Sequence, residues 1–255
     1  MKKRIIMLAL AAAIAVLPAC KKKPEHEITV QFSVGSARVV SAAGEKAAAP
    51  GDVLSFDDSI VTGPSSTVDL NFGTRGVIRI SENSNVRLSS LQPDSSNEQF
   101  ELKKGKIFVI MAKLSKGSRF MVATPTTLAA IRGTTFMVVS DPTASKISVI
   151  KGEILVQLAK EGKLAEKIEK MLDANKKVVV SEDLVAAIIA GKKQIEVVPM
   201  TPKEITDIKK EIKNIKISDK LDPEVQSEFK EVSDVTIKNK AQGPQNKEIP
   251  TIPNI

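Results

Sequence analysis

The chain has no tryptophan and no tyrosine, so its eight phenylalanines are the only aromatic residues in 255. Proteins that hold single-stranded nucleic acid stack the bases on aromatic faces, so that role is disfavoured. Sugar-binding clefts also commonly use Trp and Tyr rings, and the phenylalanines here fall mostly at alternating strand positions, where they fit a core. Histidine and cysteine are reduced to one each, His26 and Cys20. A lone histidine cannot assemble a histidine metal cluster or a nucleophile–histidine triad within one chain. A lone thiol has no partner for a disulfide. No Gly-rich phosphate cradle and no spaced Asp/Asn calcium loop is present. Asp57 and Asp58 are adjacent, and on a strand they would point to opposite faces, which is wrong for a carboxylate dyad. Ser115-Lys116 and Ser145-Lys146 are the kind of neighbours any lysine-rich chain contains. A non-enzymatic protein with no cofactor and no metal is therefore expected.

The formal net charge is +8. Part of it comes from Lys2, Lys3 and Arg4, and the remaining excess is scattered, with no dense basic stripe of the sort nucleic acid requires. Anionic envelope polymers remain possible partners for such a surface.

The N-terminus has the layout of an export signal. A basic start is followed by an apolar run from Ile5 to Leu17, too short for a relaxed membrane span. Leu17-Pro18-Ala19-Cys20 then resembles the lipobox of bacterial lipoproteins, in which cleavage leaves the cysteine as a lipidated N-terminus. Residues 1–19 are thus expected to be a signal peptide and Cys20 a lipidation site. Residues 20–27 are expected to form a polar tether whose lysines, Lys21 to Lys23, lie near the membrane. Each buried methylene of an acyl chain contributes about 0.8 kcal/mol, so several chains anchor stably.

From residue 28 the hydrophobic period is 2. Ile28, Val30, Phe32 and Val34 alternate with polar residues, and Ala37 to Ser41 offers a return strand. Ala42 to Asp52, with Gly44, Pro50 and Gly51, reads as a loop. Val68, Leu70 and Phe72, the turn Gly73 to Gly76, and Ile78 and Ile80 form the clearest hairpin. Phe100 and Leu102 precede Lys103-Lys104-Gly105-Lys106, and Ile107 and Val109 follow. Phe120, Val122, Phe136, Val138, Ile147, Val149, Ile154 and Val156 continue the pattern. Many short strands separated by glycine turns predict an antiparallel sandwich, a barrel or a solenoid. Between Lys160 and Lys177 both a helix face (Leu164, Ile168, Met171, Leu172) and a hairpin fit. Beyond residue 180 the pattern turns helical. Ser181 is placed to cap a short helix ending before Gly191. Thr201-Pro202-Lys203-Glu204 is a capping box preceding an Ile205, Ile208, Ile212, Ile215 stripe. Asp222-Pro223 starts a weaker helix with Val225 and Phe229. The division predicted is a β domain over 28–180, a helical extension over 181–237, and a polar, proline-bearing tail over 238–255 with no packed face.

Within the β segment, Thr124-Pro125, then Ile131-Arg132-Gly133-Thr134, then Phe136, resembles the most characteristic stretch of FecR-type periplasmic domains. Thr62-Gly63 with the following strand, Leu102 with Gly105 and Val109, and Val149 with Gly152 and Glu153 resemble further elements of that family over roughly 51–157. The resemblance implies a mainly β module, a compact antiparallel sandwich or solenoid-like domain, that binds other proteins in the cell envelope. In iron-responsive members it lies between an outer-membrane receptor and a cytoplasmic sigma factor. Here nothing precedes the signal to act in the cytoplasm and no full-length membrane helix follows. A stand-alone lipoprotein, facing the periplasm or on the outer membrane, is expected, docking an unidentified envelope protein. Cell-wall binding, to peptidoglycan or an anionic polymer, is the alternative. The motif residues Thr124, Pro125, Arg132, Gly133, Thr134, Phe136 and Gly152 are read as framework. Gly133 permits a turn that a side chain forbids, and Arg132 has five donors to spread over loop carbonyls or a carboxylate such as Asp141.

Overall fold

A computed structural model describes residues 27–90, 97–113, 119–131, 133–159, 178–181, 184–189 and 194–234. Cys20, the tether, Arg132, the ambiguous stretch from 160 to 177 and the tail from 238 lie outside the described residues.

The chain is mostly antiparallel β. A front sheet is built from β1 (Ile28–Val34), β4 (Val53–Leu54), β6 (Thr67–Phe72), β7 (Gly76–Ile80), β12 (Thr135–Ser140), β13 (Ala144–Lys151), β16 (Leu184–Ile189) and β17 (Ile195–Pro199). A back sheet is built from β2 (Ala37–Ser41), β3 (Gly44–Ala47), β5 (Ser59–Thr62), β8 (Asn85–Ser90), β10 (Arg119–Ala123), β11 (Thr127–Ile131), β14 (Ile154–Leu158) and β15 (Val178–Val180). The long strand β9 (Asn97–Met111) belongs to both. Its first half pairs with β8 and β10, its second half with β7 and β12. The front order is β4-β1-β6-β7-β9-β12-β13-β16-β17, antiparallel throughout. The back order is β3-β2-β5-β8-β9-β10-β11-β14-β15, with only β9 and β10 parallel.

Alternation puts one apolar face of each sheet inward, and those faces close on each other as one core. Val68, Leu70 and Phe72 from the front meet Val86, Leu88, Phe100 and Phe120 from the back. The rings of Phe72 and Phe120 sit 5.4 Å apart edge to face, and Phe100 lies 5.4 Å from Phe120. Each such side chain stabilises the fold by about 1.5–3 kcal/mol through burial.

Two helices follow. α1 (Pro202–Lys213) starts at the expected capping box: Thr201 Oγ1 accepts from the Glu204 amide, and the Glu204 carboxylate accepts from the Thr201 amide at 2.8 Å. α2 (Pro223–Asp234) is the weaker helix predicted from Asp222-Pro223. Together they cover the outer face of the front sheet. Ile208, Ile212 and Val225 pack on Val77, Phe108, Ile110 and Ile150 in a second apolar cluster. α1 crosses the upper half of the sheet, where Val34 ends, and α2 the lower half, where Phe72 ends.

Three expectations change. The helix predicted from Ser181 is instead strand β16, which pairs along β13. The capping signals are real, but Leu184–Ile189 is apolar and β-branched, and as a helix it would leave β13 an open edge. Strand β3 lies inside the expected 42–52 loop. It is exposed on both faces, so it has no alternation to reveal it, and pairing with β2 makes it a strand. The glycine turn expected at 103–106 does not end a strand, because β9 continues through it and changes sheet at a corner. The glycine turn expected at 152 is present and carries the chain from β13 in one sheet to β14 in the other.

Candidate functional site

The chain alternates between the sheets, and each change of sheet is a corner. The corners and turns collect at the two ends of the sandwich. At the upper end lie Gly35, Gly63 to Ser66, Ser81 to Ser84, Gly105, and the turns 124–127 and 140–145. At the lower end lie Gly73 to Arg75, Lys113, Gly133 and Gly152.

The motif residues do not form one site. Thr124 and Pro125 are at the upper end. The Thr124 hydroxyl accepts from the Thr127 amide at 2.9 Å and lies 2.8 Å from both Thr127 Oγ1 and Ser145 Oγ. Thr126 donates to the same Ser145 oxygen at 2.6 Å. This buried hydroxyl cluster ties the β10–β11 turn to the β12–β13 turn across the two sheets. Phe136 is fully buried in the core. Asp141, the carboxylate considered for Arg132, is engaged at its own turn. It accepts from the Thr143 hydroxyl, the Thr143 amide and the Ala144 amide, which hold its carboxyl below the usual value.

Gly133, Thr134 and Gly152 meet at the lower end, where the corner from β11 to β12 runs beside the corner from β13 to β14. Gly133 has φ 74°, and a Cβ there would lie 2.6 Å from the Lys113 Cα. Gly152 has φ 88°, and a Cβ there would lie 3.0 Å from the Gly133 carbonyl oxygen. Thr134 Oγ1 donates to the Glu153 carbonyl at 3.1 Å. Two elements 19 residues apart in sequence are thus one packed unit.

That unit forms one wall of an open cleft of about 860 Å3 whose other wall is α2. Lys113, Lys151 and Glu153 come from the sheet side, and Glu224, Ser227, Glu228 and Glu231 from the helix. Lys151 donates to Glu231 at 2.8 Å. Thr135 Oγ1 donates to Glu228 at 2.6 Å. Burial pushes the Glu228 carboxyl up; the Thr135 hydroxyl and Lys151 oppose this, and Glu224 and Glu231 add to it. The cleft brings charges of both signs together, lysines from the sheet side and glutamates from α2. Among the described residues no group of three or more His, Cys, Asp or Glu is placed to hold a metal. No described helix is long and apolar enough to cross a membrane.

Sequence reasoning missed the charged pair that locks the helices to the sheet. Arg79 forks onto Asp69, with Nε and Nη2 at 2.6 and 2.7 Å from its two oxygens, and both residues are buried. The guanidinium also donates to the Glu211 and Asn214 carbonyls at the end of α1, and Asp69 accepts from the Lys216 amide at 2.8 Å. The signal was available. A hairpin turning at 73–76 sets Asp69 directly opposite Arg79, and opposite charges at such a position attract. The acidic face of α2 was also readable, since 224, 228 and 231 follow the helical repeat, but its partner Thr135 was not.

Comparison with known proteins gives a family match over part of the chain. Residues 58–155 match the family model described as FecR protein. Two crystal structures of a candidate anti-sigma factor from Parabacteroides distasonis resemble the chain at 13% identity and a TM-score of 0.46, covering 58% of this chain and 62% of theirs. The chain spans about three fifths of the length of these solved proteins. No curated protein matches it.

Proposed function

With residues 58–155 matching the FecR family model, we propose that this chain is a non-enzymatic protein of the bacterial cell envelope whose FecR-type domain docks another protein. It is held to a membrane, facing the periplasm, by lipid on Cys20. The observation that carries the reading is the use made of the family's signature residues. Gly133, Thr134 and Gly152 are engaged in close packing of two corners, and Thr124 in a buried hydroxyl cluster. The signature, Arg132 included, is then framework, and its surfaces rather than a reacting group carry the function. The division into signal, tether, β domain, helical extension and tail is part of the same proposal, with the β domain carried past residue 180 to Pro199 by β16 and β17.

Two measurements test it. Cys20→Ala is expected to abolish fatty-acid labelling and move the protein out of the membrane fraction; a mutant that still takes up label would refute the anchor. For docking, purified full-length protein is presented in parallel to purified peptidoglycan and to solubilised envelope proteins with chemical cross-linking. A discrete protein adduct supports the reading. Retention on peptidoglycan with no protein adduct replaces it with cell-wall or surface-polymer binding.

A further inference from the structure

The side-chain ion pairs between the front sheet and its two helices have one polarity, with the cation on the sheet and the carboxylate on the helix. Lys106 donates to Glu211, Lys146 to Glu204 and Lys151 to Glu231, and the Thr135 hydroxyl donates to Glu228. Arg79 donates to helix-end carbonyls. The one carboxylate on the sheet side of these contacts, Asp69, is neutralised by Arg79. Between the polar contacts lies an apolar strip of Val77, Phe108, Ile110 and Ile150. All of these sheet residues fall within the FecR match, and α1 and α2 fall outside it.

We propose that this outer face is the docking surface of the domain for an acidic amphipathic helix, and that α1–α2 is a tethered occupant that a partner helix of the same chemistry displaces. The proposal rests on the docking reading above and names the surface and partner class. Charge complementarity argues for the occupant. A cationic rim around an apolar strip selects a helix that presents glutamates beside an aliphatic stripe, as Glu204 and Glu211 of α1 and Glu228 and Glu231 of α2 do on the faces they turn to the sheet. The grip is reversible in kind. The three lysine–glutamate pairs are partly exposed, with side-chain exposures from 29% to 62%, so each is weak and screened by salt. What favours the strap is its buried apolar stripe, the Arg79 contacts at the end of α1 and its tether, since a short connection holds a segment at an effective concentration on the order of millimolar. A free helix then sees only the fraction of molecules whose face is open, and its apparent affinity falls by that fraction.

The test uses a fluorescein-labelled peptide of residues 200–234 and the full chain. Binding is read by anisotropy, and strap release by hydrogen exchange of the chain's own α1 and α2. In the loosened chain, Glu204→Gln, Glu211→Gln and Glu231→Gln weaken the strap and leave the sheet surface intact. The peptide is expected to bind it at least roughly tenfold more tightly than wild type, with faster exchange in α1 and α2 and unchanged exchange in β7 and β9. A peptide with the same three glutamates changed to lysine is expected not to bind. Three results would overturn the proposal. One is a loosened chain whose helices exchange fast and yet bind no peptide. Another is equal binding of the lysine peptide. The third is loss of strap and sandwich in a single transition. A protein adduct found with wild type at another surface would leave the docking reading standing while this one falls.

Discussion

The two ends of the sandwich do the same topological work with different chemistry. At the upper end the corners are closed by hydroxyls and glycine. Thr62 Oγ1 donates to the Ser81 carbonyl at 2.6 Å, the Ser84 amide donates to Thr62 Oγ1, and the Lys106 amide donates to Ser84 Oγ. The helix over this half is held by the buried Arg79–Asp69 fork as well as by two partly exposed lysine–glutamate pairs. At the lower end the corners are closed by Gly133, Gly152 and the Thr134 hydroxyl, but the surroundings are charged and open, and among the described residues α2 has a partly exposed ion pair and a hydroxyl with no buried fork of its own. Short neutral hydroxyls satisfy corner amides without the desolvation cost that a buried charge carries, so a stack of corners can be dry. Where lysines and glutamates replace them, the end must stay wet, and a cleft results.

The largest effect is expected at the upper half. Arg79→Ala would leave Asp69 buried without its counter-charge, and breaking such a pair costs about 3–5 kcal/mol. α1 would lose its end contacts as well. Chemical denaturation followed by circular dichroism measures it, and a cost below about 1 kcal/mol would show that the fork is replaceable.

Gly105→Ala should cost about 2–4 kcal/mol, from left-handed strain and overpacking together. Its φ is 105°, and a Cβ would lie 2.2 Å from Ser84 Oγ and 2.4 Å from Ser84 Cα. A mutant as stable as wild type would mean that the upper corners have slack.

Thr124→Val keeps the shape and removes the hydroxyl, leaving buried amide and hydroxyl groups unpaired for about 1–3 kcal/mol. Thr135→Val at the lower end removes one partner from a half-buried carboxylate and should cost less. The melting temperatures of the two variants side by side decide whether the upper end is the drier one, and the reverse order would break the comparison.

The smallest effect is in pH dependence, where the two helices have opposite signs. Glu204 is pulled down to about 2 from 4.5 by Lys146, with help from the Thr201 amide and hydroxyl. Its folded form gives up the proton more readily than the unfolded form. Its stabilisation is therefore present above about 4.5 and is lost as pH falls toward 2. Glu228 is raised, so its folded form holds the proton more tightly. It costs stability at neutral pH, and that cost disappears as pH falls through the raised value. Glu204→Gln should flatten the acid limb of the stability profile. Glu228→Gln should remove the neutral-pH cost and leave the acid limb unchanged.

Much of this was legible locally. The 67–80 hairpin, the capping box at Thr201 and the isoleucine stripe are decided by residues within a few positions of one another, through alternation, helical repeat and cap chemistry. The β class follows from the same patterns, as does the framework reading of glycines that sit at positive φ. What could not be read was direction. Gly105 and Gly152 carry the composition of hairpin turns, because a glycine that frees the backbone looks the same whether the chain reverses or crosses to another sheet. Leu184–Ile189 became a strand because β13 needed a partner, and Asp69 and Arg79 became a lock because two helices returned to cover them. Sequence by itself determined the alternating strands and the Thr201 cap, whose physics is short-range. Only the tertiary structure decided which sheet each strand joins, which polar face is buried, and which charges meet, because those depend on contacts between residues up to 147 positions apart.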